Sequence, residues 1–449
     1  MQNDLAKNYK TALDSLTVYR GILNKPLVKK LYTLLGRLCM VEEDFDALLN
    51  EYNDFFYHLS QVDDYRNFKH YVITCVLYDE NAFTRIVAKQ NFADIDTLLL
   101  QTVENDLENL HKVAMLSSRE MKDIILGGYA AISSSEKSIT EKLPEWNNGL
   151  SDTRDGLSEI YHSLDQEQCW AKCIAALAKF HRANGSGDFA RYKGFVWEKN
   201  SEFYGLKGLE STDPIRLSDL VGYNAERQAV LDNTKFFLKG YPANNVLLYG
   251  DRGTGKSSTV KALLNEFFAQ GLRIIEIPKK YLEDYPKIIR LIRNKPQKFI
   301  LFVDDLTFED SEESFTALKA VLEGGLESRP VNTVIYATSN RRHLVKEKFS
   351  ERAGLSFGDN DEVRAADTLQ EKLSLADRFG ITVIFSSPDK KKYLEIVEVL
   401  ASIRNIEIDA KTLHNEALMW EMEHNGRSPR TARQFIDWLE AKIKGIAVE

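Results

Sequence analysis

Eight residues, Gly250-Asp251-Arg252-Gly253-Thr254-Gly255-Lys256-Ser257, constrain this chain more than any others. They stand between the apolar run Val246 to Tyr249 and a helical stretch reaching Gln270, with Gly271 as its C-terminal cap. The glycines let the main chain curl so that successive N–H groups converge, and the helix start adds partial positive charge at the same spot. A strand, such a loop and a helix in that order make a P-loop, and what it holds is a phosphate group. Gly250, Asp251, Arg252, Gly253, Thr254, Gly255, Lys256, Ser257 and Ser258 are therefore the expected nucleotide contacts. Lys256 is placed to reach the β- and γ-phosphates and the Ser257 hydroxyl to ligate magnesium.

The surrounding pattern agrees with that loop. After Pro214, short apolar runs alternate with helical stretches: Val246 to Tyr249, Arg273 to Ile277, Phe299 to Val303, Thr333 to Ala337 and Ile381 to Phe385. Runs so uniformly apolar are strands covered on both faces, so the expected fold is α/β, a five-stranded parallel sheet with helices on both faces. The third run ends in Asp304-Asp305, two carboxylates at a strand's C-terminal end, where the crevice of such a sheet opens. Asp304 is expected in the metal shell and Asp305 as the group that polarises the attacking water, with Glu309 as its alternative. From Asp389 onward only helical spacing remains, near 389–403, 410–424 and 429–444, which predicts a small helical lid.

Before residue 200 the apolar spacing is helical: Leu5, Tyr9, Leu13 and Leu16; Phe45, Leu49, Tyr52 and Phe56; Ile95, Leu99, Val103 and Leu107. The expected organisation is a helical domain over 1–185, a linker over 186–214, the α/β domain over 215–388 and the lid over 389–449. Ser133 to Asp155, rich in Ser, Asn and Gly, reads as loops. The basic and aromatic stretch of residues 181–200 reads as a connector with docked aromatics, against an alternative in which the rings stack on bases. Net charge is −8, most of it in the first 200 residues. Bulk charge thus does not favour nucleic acid, although a local basic stripe can hide in such a total. Cys39, Cys75, Cys169 and Cys173 are scattered in apolar surroundings, which predicts no disulfide framework and a reducing cytoplasm. Cys169 and Cys173, one helical turn apart, lack a second pair at zinc spacing and read as core. No stretch has the makeup of a signal peptide or the roughly 20 apolar residues of a membrane span, so a soluble protein with no membrane contact is expected.

Taken together, the region from about Leu217 to Ile443 resembles an AAA+ ATPase. Asp219-Leu220-Val221-Gly222-Tyr223 is similar to the segment that lines the adenine pocket in that superfamily, which implies Val221 and Gly222 as contacts. Thr338-Ser339-Asn340 resembles the sensor that positions the lytic water, with Asn340 as its carrier. Ser374-Leu375-Ala376-Asp377-Arg378-Phe379 resembles the segment that carries an arginine finger, implying that Arg378 acts on a neighbouring subunit's γ-phosphate; Arg329, Arg341 and Arg342 compete for that role. Gly426-Arg427-Ser428-Pro429-Arg430 resembles the second sensor, so Arg430 would reach over from the lid. The wording NVLLYGDRGTGKSS, FVDDLTFED, LKAVLEGGLESRP, YATSNRRHL and KLSLADRFGI, with DFARYKGFVW before the module, is closer still to a domain-of-unknown-function family of prokaryotic AAA+ ATP-binding proteins. Two departures stand out: Asp305 replaces the usual glutamate, which implies slow turnover, and Pro429 stands where glycine is expected.

The resemblance implies ATP and magnesium as ligands and assembly into a homo-oligomer, such as a hexamer, on nucleotide binding. It implies ATP hydrolysis used to remodel or regulate a macromolecular partner, with the acidic helical domain recruiting a protein. Two alternatives stay open, a DNA-associated loader or initiator and a nucleotide-gated switch with negligible turnover. His343 reads as a hydrogen-bonded helix-start residue, and the charge-rich stretch 346–364 as a solvated insertion.

Overall fold

The computed structural model describes residues 2–40, 44–62, 67–128, 133–146, 159–201, 203–306, 322, 329–340, 378–424 and 426–445. They fall into two compact units, Met1–Arg191 and Tyr192–Glu449. No helix among these residues is long and apolar enough to cross a membrane.

The first unit is helical throughout its described residues. Helices Gln2–Asp14, Pro26–Leu38, Phe45–Ser60 and Thr97–Ala114 bury the stripes that helical spacing picks out, including Leu13, Leu31, Leu34, Tyr52, Phe55, Val103 and Leu107. Asp106 is buried among them, where its carboxylate accepts from the N–H groups of Thr17 and Tyr19 and so closes the turn after the first helix. The Ser-rich segment expected as loops contains a helix, Ser134–Glu141. Its cause is local: Ser133 and Glu136 form a reciprocal capping box that satisfies two N-terminal donors, outweighing the composition. All four cysteines are free thiols.

In the second unit the five expected strands form, and two more join them. β1 (Gly194–Lys199) and β2 (Tyr204–Gly208) are an antiparallel hairpin, followed by β3 (Val246–Gly250), β4 (Leu272–Glu276), β5 (Lys298–Val303), β6 (Thr333–Ser339) and β7 (Ile381–Phe385). The sheet has seven strands in the order β2-β1-β4-β5-β6-β3-β7, and every pairing except β1 with β2 is parallel. Residues 194–208, expected as part of a linker, therefore extend the sheet. Phe195 and Trp197 alternate into the core from β1, and Trp197 donates its indole N–H to Asp284 at 3.1 Å. The apolar run Phe195-Val196-Trp197 is only three residues long, bounded by Lys193 and by Glu198-Lys199, too short for an apolar-run criterion to mark a strand.

β3 and β6 are neighbours, yet the chain leaves β3 for β4, three places away, and leaves β6 for β7 on the far side of β3. That reversal opens a crevice at the C-terminal ends of β3, β6 and β5. Over it lies the lid, helices Lys390–Ile403, Ala410–Glu423 and Pro429–Ile443, whose core is built on Tyr393, Ile396, Val397, Ala417, Phe435 and Leu439.

Candidate nucleotide site

Gly250 ends β3 with φ of +134°, and a Cβ there would lie 2.1 Å from the Phe385 carbonyl oxygen of β7, so only glycine lets the two strands run this close. The next residue is fastened on both sides. Asp251 N–H donates to Phe385 O at 2.9 Å, and its carboxylate accepts from Ser387 N–H at 2.7 Å, in the segment leading to the lid. The loop then opens into helix Lys256–Phe267, whose first turn has no side-chain cap. Its N-terminal N–H groups are thus donors available to an anion.

Lys256 is buried, its ammonium donating to the carbonyls of Gly250 at 3.1 Å and Asp251 at 2.7 Å. Burial pushes the lysine down to about 8, against the opposing pull of Asp251, Asp305 and Asp304. One residue on, Ser257 Oγ donates to Asp304 Oδ1 at 2.6 Å, which joins the helix start to the end of β5.

β6 supplies the piece that organises the two acids. Thr338 Oγ1 donates to Asp304 Oδ1 at 2.6 Å and accepts from Asp305 N–H at 2.9 Å. Asp305 has a left-handed φ of +52°, unusual for a residue with a side chain and costing on the order of 1 kcal/mol, and these bonds hold it there. Its Oδ1 accepts from Asn340 Nδ2, and its Oδ2 lies 3.9 Å from Lys279 Nζ.

The lid closes the other side. Arg430 donates its main-chain N–H to Gly253 O at 3.1 Å, and Arg433 Nη2 donates to Asp219 O at 2.8 Å. Behind them, Tyr223 donates its hydroxyl to Ser386 O at 2.6 Å and carries the Lys392 ammonium 4.0 Å from its ring centre. The result is a cleft of about 580 Å³ with an apolar wall of Leu220, Val221, Ile396 and Leu400 facing the polar loop.

Of the residues expected at the site, Val221, Arg252, Gly253, Thr254, Gly255, Lys256, Ser257, Ser258, Asp304, Asp305, Asn340 and Arg430 all line this cleft. Gly250 and Asp251 form the base of the loop, and Gly222 lines a smaller adjoining cavity with Lys392 and Ile396. Arg378 is not a lining residue. Arg329, its competitor, is engaged elsewhere, donating to Asn245 Oδ1 at 2.7 Å and Ala243 O at 2.9 Å beside the start of β3. Glu309, Arg341, Arg342, His343 and residues 346–364 lie outside the described residues. Thr338 belongs to the segment read as a sensor, although Asn340 alone is its expected carrier, and Arg433 and Lys279 have no sequence-based expectation at the site. The Thr338 contacts are thus signalled by its motif, whereas Arg433 and Lys279 join the site through contacts that have no local signature.

The donors suit a triphosphate with a hard cation. One hydroxyl and one carboxylate are oxygen ligands at the mouth of a phosphate loop, a sparse set that fits magnesium, which keeps most of its waters. Among the described residues no group of three or more His, Cys, Asp or Glu could make a denser metal cage.

Three known proteins are similar to parts of this chain. A segment of 70 residues is 37% identical to the 26S proteasome regulatory subunit 4 homolog of Schizosaccharomyces pombe, covering 14% of this chain and 16% of that protein. Over 221 residues the chain is 25% identical to the 26S proteasome regulatory subunit 6B homolog of Dictyostelium discoideum, covering 45% and 50%. The chain thus spans half or less of the length of these relatives. Among solved structures, the Thermotoga maritima RuvB Holliday junction branch migration motor is similar at 16% identity and a TM-score of 0.34, over 52% of this chain and 66% of that one. The sequence model of a family described as a protein of unknown function, DUF815, matches residues 190–443, more than half of the chain, so this chain belongs to that family and is an AAA+ ATPase related to the proteasomal regulatory subunits.

Proposed function

We propose that this protein binds ATP with magnesium in the cleft beside the glycine loop and hydrolyses it to remodel or regulate a macromolecular partner. The observation supporting this reading is the convergence of Lys256, Ser257, Asp304, Asp305 and Asn340 on one cleft from three separate segments. Lys256 would exchange its two carbonyl partners for the β- and γ-phosphates. Ser257 and Asp304 would hold the magnesium ion, which neutralises phosphate charge when bound. Asp305, its carboxylate gripped by Asn340, would orient the attacking water and accept its proton, since phosphoryl transfer needs little beyond positioning and charge. Val221 and Gly222 would border the adenine.

Motion follows from placement. Arg430 would contact the γ-phosphate from the lid, and Arg378 would do so from a neighbouring copy in a homo-oligomer. Loss of that phosphate removes contacts that favour one arrangement of lid and sheet. The acidic helical unit would then recruit the partner protein. Steady-state hydrolysis compared with Lys256→Ala tests the proposal: a wild-type rate no greater than the variant's, on folded protein, refutes turnover.

One observation favours a second reading, a nucleotide switch with little turnover. Asp305 is a short acid whose carboxylate is already engaged by Asn340 and lies 3.9 Å from Lys279, which leaves less of it free to meet an attacking water. Calorimetric ATP binding without hydrolysis above Lys256→Ala selects this reading.

A further inference from the structure

We propose that the sheet edge formed by β1 and β2, with the segment that follows β4, binds single-stranded nucleic acid. Residues 193–207 and 279–293 carry eight Lys or Arg against four Asp or Glu, in a chain whose net charge is −8. The fold brings these two distant segments together. Tyr281 donates its hydroxyl to Lys199 O at 2.8 Å, and Lys287 Nζ donates to Tyr204 Oη at 2.5 Å.

The cations are interleaved with aromatic rings. Tyr204 is 48% exposed, with Lys199 Nζ 5.6 Å and Lys287 Nζ 5.0 Å from its ring centre. Lys280 Nζ lies 4.7 Å from the centre of Tyr281, and Phe203, beside Tyr204, is 40% exposed. Helix Tyr285–Ile292 buries Tyr285, Ile288, Ile289 and Ile292, so Arg290 continues the same outer face one turn beyond Lys287. Asp284 does not cancel this surface. Its carboxylate is turned inward, accepting from Trp197 Nε1, Tyr204 Oη and Lys287 Nζ, and offsets one cation only.

Exposed rings between cations suit an unpaired strand: phosphates meet the ammonium groups while base faces, hidden in a duplex, meet the rings. An acidic peptide would use the charges and leave the rings idle. The proposal is independent of the ATPase reading: of these cations Lys279 alone is placed at the nucleotide site, 3.9 Å from Asp305, and Phe203, Tyr204, Lys280 and Arg290, which carry the test, do not line the cleft.

The test is fluorescence anisotropy of a labelled oligothymidylate of about 20 nucleotides, added to the full chain without ATP. We expect saturable binding with Kd on the order of 1–100 μM at roughly 50 mM salt, and a log Kd–log salt slope of about 2 for three phosphate contacts. Lys280→Glu with Arg290→Glu should weaken binding at least about tenfold and flatten that slope. Tyr204→Ala should weaken it on the order of tenfold, and Phe203→Ser, at a site unable to disturb the core, should weaken it about threefold or more. Lys256→Ala should bind the oligonucleotide as the wild type does, whatever becomes of its ATPase. Absence of binding at low salt overturns the proposal. Equal competition by polyglutamate, or loss with the charge variants but with neither aromatic variant, overturns it as well, since either result reduces the patch to a generic polyanion surface.

Discussion

The main-chain N–H of Arg430 rests on the carbonyl oxygen of Gly253 at 3.1 Å, so the lid touches the glycine loop itself. Gly253 has φ of +74°, and a Cβ there would lie 2.8 Å from Ser428 Oγ and 3.2 Å from Arg430 Cβ. Left-handed strain of roughly 1–2 kcal/mol adds to the crowding. Gly253→Ala should weaken ATP binding about tenfold or more by calorimetry. An unchanged Kd would mean that loop and lid yield independently of the ligand.

Thr338 links the two acids through one hydroxyl. Thr338→Val keeps the shape of the buried side chain but removes the donor to Asp304 and the acceptor for Asp305 N–H. Asp304 Oδ1 keeps Ser257 Oγ and Asp305 N–H as donors, so the cost is that of two lost hydrogen bonds, about 1–3 kcal/mol together. Because Lys256 and the loop are untouched, kcat should fall about tenfold to a hundredfold while the ATP Kd shifts less than about threefold. Thr338→Ser should restore most of the rate. An equal loss in Kd and kcat would assign Thr338 to folding of the loop.

How much of this was legible in the chain follows from the range of each signal. Gly250 to Ser257 and Asp304-Asp305 are contiguous words whose residue types the chemistry demands, and they sit at strand ends where period and composition place them. The five uniformly apolar strands were legible for the same reason. The hairpin Gly194–Gly208 was not, since only Phe195 and Trp197 carry its buried face and lysines interrupt it. Contacts such as Tyr223 with Ser386 and Arg433 with Asp219 span more than 100 residues, and no local pattern encodes them. In Ser134–Glu141 the local signal outweighs composition: the Ser133–Glu136 capping box sets a helix inside a Ser-rich stretch.

Lys256 gives a pH signature. Its free-state value of about 8 lies well below the ordinary lysine range, whereas a bound triphosphate favours the charged form and raises it. Near pH 8 ATP binding should therefore take up about half a proton, and near pH 6.5 almost none. Affinity should fall as pH rises through 8, where the free lysine loses its charge. Calorimetry in two buffers of different ionisation enthalpy reads the uptake directly. Zero uptake at pH 8 would place the lysine's titration well above this range.

Arg378 does not line its own chain's cleft, and the proposed action on a neighbour's γ-phosphate can be tested directly. Arg378→Ala should bind ATP within about threefold of wild type and lose at least about tenfold in kcat, because a finger stabilises charge that develops during transfer. Mixing it with Asp305→Asn should restore activity at composite sites pairing an intact acid with an intact arginine. With subunit exchange verified, failure of the mixture moves the role to another arginine.

His181 predicts acid sensitivity in the helical unit. Burial pushes its imidazole down to about 4, partly offset by the hydrogen bond from Nδ1–H to Gly185 O at 3.0 Å, and Nε2 is buried without a hydrogen-bond partner. The folded-state value lies below the ordinary 6.5, so between pH 6.5 and 4 the unfolded state binds more protons and stability rises with pH. The stabilisation is fully present above 6.5 and is lost as pH falls toward 4, about 3 kcal/mol over the window. Hydrogen exchange of the amides in helix Ile174–Asn184 measures it in the intact chain. The opening free energy should drop across this range in the wild type and be flatter in His181→Gln, which keeps an amide donor for Gly185 but cannot charge. Parallel curves for the two proteins would show that the acid response arises from other groups.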